Sequence, residues 1–147
     1  MKSERQKLGA EYFRQGYNCS QAVAMAFEDL TGLDKDMLSK LSVGLGGGVG
    51  RMREVCGCVS GMALVIGMAK GTADPMSKND VYPLVQEACA EFKKQNGSIV
   101  CRELLAGVPH TDGGTAEKRT EDFYKKRPCG ELVETAIGIA ERILCTN

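Results

Sequence analysis

The sequence has no Trp and a single His, and only 5% of its 147 residues are aromatic. One His cannot build a site from several imidazoles, so any metal would have to be held largely by sulfur. An excess of charge is also missing. Nineteen basic residues balance nineteen acidic ones, which excludes a strongly cationic nucleic-acid surface and an acidic disordered tail. Long apolar runs are absent too. The longest uncharged stretch covers residues 55–69 and contains Gly57, Ser60, Gly61 and Gly67. A membrane span needs about 17–25 apolar residues, so this stretch reads as a buried helix and no membrane insertion is expected. The N-terminal Met1-Lys2-Ser3-Glu4-Arg5-Gln6-Lys7 is polar with no apolar segment behind it. It does not read as a secretory signal, and a cytoplasmic location is the expectation.

What the sequence does have is apolar content, glycine and cysteine: 43% hydrophobic residues, 18 Gly and 7 Cys. A chain of this length suits one domain over residues 1–147 and buries roughly 70% of its unfolded surface. Helical periodicity dominates and strand-like alternation is almost missing. The fold expected is all-α, a single-domain helical bundle of about six to seven helices.

Local signals place the helices. Ser3 caps a first helix to about residue 15, with Gly16 as its stop. Asn18 caps a second, with Gln21 completing a capping box and Gly32 after its end. Asp34 starts a short helix to about residue 43. Residues 44–50 carry five glycines and read as a flexible hinge between helices. A long buried helix is then expected from about residue 53 to 69. An amphipathic helix follows at about 81–95, Ser98 caps a short helix ending at Gly107, another short one ends near residue 124, and Pro128 opens the last, to about residue 144.

The cysteines fall in a positional pattern. Cys19 follows the cap Asn18, Cys101 stands three residues after Ser98, Cys129 follows Pro128, and Cys56 lies near the start of the long helix. First-turn amides and the positive end of the helix dipole favour a thiolate over a thiol. Thiolates are the nucleophiles of disulfide exchange and the ligands of soft metals. Cys89 and Cys145 read as structural. Residues two apart on a helix point about 200° apart, so a helical Cys58 would face away from Cys56.

The segments Tyr17-Asn18-Cys19-Ser20-Gln21-Ala22-Val23, the glycine loop into Cys56-Gly57-Cys58-Val59-Ser60-Gly61, Cys101, and Cys129-Gly130 together resemble the C_GCAxxG_C_C family of redox-active proteins. The resemblance runs from about residue 16 to 144. It implies that Cys19, Cys56, Cys101 and Cys129 are the family's four cysteines and that Gly57 and Gly61 are the motif's glycines. The family motif has Ala where this chain has Cys58, so the resemblance makes Cys58 an extra thiol. Members are often encoded near transporter genes, which implies a functional link to a transporter. No defined reaction comes with the resemblance.

The leading reading is thiol–disulfide redox chemistry, as an oxidoreductase or an electron-relay partner. Cys56 is the expected nucleophile, with Cys19, Cys101 or Cys129 resolving the mixed disulfide. No Cys-x-x-Cys or βαβ pattern occurs, so a thioredoxin fold is not expected. The alternative is a four-thiolate site for zinc or an iron–sulfur cluster on the same four cysteines, although isolated ligands are unlike the paired knuckles of structural zinc sites. The expected partner is a protein or small-thiol redox partner, without nucleic acid, and self-association into a homo-oligomer stays open. Arg51 and Arg53 beside the glycine loop would help hold an anion there, yet neither phosphate-loop nor dinucleotide spacing is met. His110 reads as a solvated loop residue, and Lys125-Lys126-Arg127 is too short a basic run to argue nucleic-acid binding.

Overall fold

A computed structural model describes residues 1–145. Among them are nine α-helices, six of seven residues or more: α1 (Glu4–Arg14), α2 (Cys19–Met25), α4 (Lys35–Ser42), α5 (Gly57–Lys70), α6 (Lys78–Asn96) and α9 (Cys129–Cys145). The short ones are α3 (Glu28–Thr31), α7 (Cys101–Leu104) and α8 (Glu121–Lys126). The fold is all-α and single-domain, as the periodicity predicts. None of the described helices is long and apolar enough to cross a membrane.

The caps act where the sequence places them. Ser3 accepts from the Gln6 amide while Gln6 Oε1 accepts from the Ser3 amide. Asn18 and Gln21 repeat this reciprocal box, so two orphan donors are satisfied at each helix start. The box matters doubly at α2, because it fixes the backbone immediately before Cys19. Helix α2 is the centre of the bundle. Ser20 through Met25 are all buried, and the helix packs against α1, α4, α5 and α9. It stops earlier than the Gly32 signal suggests. Phe27 leaves the helical region (φ −111°, ψ 27°), which seats its fully buried ring beneath the Arg5 guanidinium, 4.9 Å away.

Two glycines of α5 are needed for close approach. A Cβ on Gly61 would lie 3.0 Å from Val23 Cβ and 3.2 Å from the Ser20 carbonyl oxygen. A Cβ on Gly57 would lie 2.5 Å from Cys19 Sγ. Without those two methyls, α2 settles directly onto the start of α5.

The glycine-rich stretch differs from the flexible hinge expected of it. Residues 47–51 all have positive φ, between 55° and 76°, and Arg53 follows at 61°. The segment winds into a left-handed turn closed by its own backbone. The Arg51 amide donates to the Gly46 oxygen, Arg53 to Gly47, and Glu54 to Gly48. The glycines adopt this without penalty, whereas Val49, Arg51 and Arg53 each carry about 1–2 kcal/mol of strain. The turn also delays α5. That helix starts at Gly57, not near Arg53, because residues 54–56 run extended beside residues 99–101. One antiparallel bridge, Val55 with Val100, ties the two segments. The Cys56 amide donates to the Ile99 oxygen at 2.8 Å, and the Cys101 amide to the Glu54 oxygen at 2.6 Å.

Candidate functional site

Five thiols meet at one recess. Cys19 is the first residue of α2, Cys101 the first of α7 and Cys129 the first of α9. Cys56 is the N-cap of α5 and Cys58 its second residue. All five line a cavity of about 110 Å³. Cys19 and Cys129 are partly exposed, while Cys56 and Cys58 are 5% and 0% exposed and form the floor behind them.

On that floor three thiols lie together. The neighbouring Cys56 and Cys58 thiols, followed by the backbone amides of Gly47 and Ser20, favour the Cys19 thiolate and hold Cys19 well below the ordinary thiol range, against the opposing effect of desolvation. The counterpart is that Cys56 and Cys58 are held well above it, chiefly because each donates to the Cys19 thiolate. Charge in the cluster therefore collects on one sulfur. The bare Gly57 between Cys56 and Cys58 is what lets that sulfur come in.

Cys101 and Cys129 stand in the same recess under different control. Burial pushes Cys101 up, and Arg53 Nη1 at 3.8 Å only partly offsets this. Burial and the neighbouring Cys19 charge push Cys129 up to about 11, against the pull of Arg127. The first-turn argument alone would depress every one of these thiols. Here desolvation wins at Cys101 and Cys129, and thiol–thiol donation wins at Cys56.

The roof is the segment between α7 and α8, strapped down by arginines. Arg51 Nη2 donates to the Thr111 oxygen and hydroxyl at 2.9 Å each, and its Nη1 reaches the Gly113 and Thr115 oxygens. Arg53 Nη2 also donates to the Thr111 oxygen, at 2.7 Å. Glu117 is the hub. It pairs closely with Arg127 and lies 3.5 Å from Arg51 and 3.6 Å from Arg53. Burial raises Glu117, but Arg127 outweighs it and holds the carboxyl below its usual range. Arg119 closes one side, donating to the Phe13 and Tyr17 oxygens with its guanidinium 4.3 Å over the Phe13 ring.

The structure thus brings Cys19, Cys56, Cys101 and Cys129 around one cavity and leaves Cys89 on α6 and Cys145 at the end of α9 outside it. Cys58 was expected to face away, and it does not. As the N-cap, Cys56 is extended (φ −52°, ψ 134°), so the helical 200° rule does not relate the two. Sequence reasoning also missed Arg119, Arg127 and Glu117. Their only signal is position, Arg127 lying two residues before Cys129. Among the described residues, no group of three or more His, Cys, Asp or Glu is placed to hold a metal ion, and the four-thiolate zinc or iron–sulfur alternative gains no support from the geometry.

Residues 17–143 match the model of a family described as "Putative redox-active protein (C_GCAxxG_C_C)". No curated protein and no solved structure matches the chain.

Proposed function

The chain belongs to the C_GCAxxG_C_C family of redox-active proteins, and on that footing we propose that it is a thiol–disulfide redox protein in which Cys19 is the attacking thiolate and Cys56 the resolving thiol. One observation carries the reading: Cys19, Cys56 and Cys58 line one cavity, and the bare Gly57 between the last two lies so close to Cys19 that an added Cβ would stand 2.5 Å from its Sγ. Cys56 was the nucleophile favoured by sequence, but it is 5% exposed and held protonated. Cys19 has the thiolate character that attack requires and is the less buried of the two residues.

The arrangement supports a two-step exchange. Cys19 attacks one sulfur of a disulfide substrate, the substrate S–S bond breaks, and the first thiolate leaves with the bonding pair. The Cys19 sulfur is then neutral in a mixed disulfide. The main cause holding Cys56 protonated was its bond to the Cys19 thiolate, so Cys56 now loses its proton more readily, aided by donation from Cys58. It attacks Cys19 Sγ, the Cys19–Cys56 bond forms, and the second thiolate leaves. The protein dithiol is oxidised by two electrons and the substrate disulfide is reduced. A small thiol or protein partner, in a cytoplasmic setting, would restore the dithiol.

The test is thiol titration and disulfide mapping by mass spectrometry across glutathione redox buffers. A Cys19–Cys56 bond that Cys56→Ser abolishes is the expected result. If every thiol in the cavity stays free at potentials that oxidise glutathione, the proposal fails.

A further inference from the structure

The thiol cavity is also strongly cationic. Four guanidinium groups line it, those of Arg51, Arg53, Arg119 and Arg127, against the single carboxylate of Glu117. Backbone oxygens take several of their N–H groups: Arg51 at Thr111, Arg53 at Thr111, Arg119 at Phe13 and Tyr17, and Arg127 at Pro109. A carbonyl oxygen satisfies a donor but carries no net charge; Glu117, paired with Arg51, Arg53 and Arg127, and the Cys19 thiolate offset part of the positive charge, and a positive excess remains. Arg53 stands out. It is 8% exposed, and its Nε is a buried donor without an acceptor. Such a group calls for a physical reason, which a water, an ion or a bound ligand supplies.

The chemistry of the missing partner follows from its neighbours. Guanidinium groups match oxyanions with paired hydrogen bonds. The thiolate beside them reacts with a sulfur–sulfur bond. The recess, about 110 Å³, gathers its guanidiniums and thiols within the reach of a small molecule, and the substrate inferred is of that size. Resting on the thiol–disulfide reading above, we infer that the substrate is a small anionic disulfide, its carboxylate or sulfonate held by Arg53 and Arg127 and its nearer sulfur presented to Cys19. Cys19 Sγ displaces one anionic thiolate, and Cys56 then displaces the other from the mixed disulfide. The products are two anionic thiols and the protein disulfide, with one proton released from Cys56.

A charge series of small disulfides tests this on the full chain: dithiodiglycolate, neutral bis(2-hydroxyethyl) disulfide and cationic cystamine. In free solution a thiolate is repelled by the anionic member. The reduced protein is expected to reverse that order, favouring dithiodiglycolate over the neutral compound by about tenfold or more after normalisation to free cysteine. Arg53→Gln is expected to flatten the series, whereas Arg53→Lys, which keeps the charge, should preserve its order; far-UV circular dichroism shows whether each variant is folded. A flat series, or one led by cystamine, while the neutral disulfide still forms the Cys19–Cys56 bond would overturn this inference and leave the redox reading standing. Failure of all three compounds to oxidise the cavity would overturn both.

Discussion

The floor and the roof of the cavity are held by different forces. On the floor, α2 lies against α5 with Gly57 and Gly61 at the contact, and Ser20 through Met25 are buried without exception. On the roof, residues 109–117 are tied down by guanidinium bonds from Arg51, Arg53 and Arg127, several of them near solvent. Close packing tolerates displacements of a few tenths of an ångström and no more. Hydrogen bonds from charged groups each contribute about 1.5–3 kcal/mol net, and the partly hydrated ones exchange readily with water. The floor therefore fixes where the thiols sit, while the roof is the part that opens at low cost.

The largest expected effect strikes the floor. Gly57→Ala would set a methyl 2.5 Å from Cys19 Sγ, and the sulfur must move. Disulfide formation should slow by about tenfold or more, with a stability cost of about 1–3 kcal/mol. Oxidation kinetics and urea melts of the reduced protein check both. Wild-type behaviour would show that the thiol contact does not depend on that gap.

The next effect reads the electrostatics of the floor. Cys56, Cys58, Cys101 and Cys129 are raised and Cys19 is lowered. Raised thiols contribute stability that is present in full below the ordinary thiol value and is lost as pH climbs through the folded value. The Cys19 contribution runs the other way: it is present above the ordinary value and is lost as pH falls through the lowered one. With four thiols against one, the reduced protein should lose stability above about pH 9, on the order of 2–3 kcal/mol from Cys129 alone by about pH 11. Urea midpoints that stay level through that window would contradict the assigned protonation states.

A smaller effect is expected on the roof. Arg51→Ala removes the strap, so alkylation of Cys19 by iodoacetamide should speed up about threefold or more through local opening. Arg51→Gly should do the same and melt later than the Ala variant by about 1 kcal/mol, because glycine relieves the left-handed strain at φ 64°. Equal melting of the two variants would mean that no strain resides there.

Gly67→Ala is the mildest case and the control for the first. Nothing lies within 4 Å of the added methyl, and the position is inside α5, so the substitution should stabilise by about 0.5–1 kcal/mol. A destabilised Gly67→Ala would show that α5 resists any added methyl, and the Gly57 result would then say nothing about Cys19.

Much of the frame was legible along the chain. Ser3 with Gln6 and Asn18 with Gln21 announce their helices through local hydrogen bonds, as does Asp34, whose carboxylate accepts from the Met37 amide. Local bonds involve residues three apart, so the sequence suffices to read them. The glycine turn was misread because glycine reports only that φ is free, not what the chain does with that freedom. Cys58 was misread for a related reason: its direction depends on Cys56 being extended, and the bridge to residues 99–101 decides that. Beyond Arg127 preceding Cys129 by two residues, Arg127 and Glu117 carried no local sign, since their meaning lies in each other and in Arg51 and Arg53.

By itself the sequence determined an all-α chain with caps at set places and cysteines at helix starts, because capping and periodicity act over a single turn. Only the tertiary structure decided in which direction each thiol is shifted, because that depends on neighbours many residues away and on burial. The helix ends offered similar help to several thiols. The packing of α2 on α5 set Cys19 against Cys56 and Cys58, and that neighbourhood lowers it.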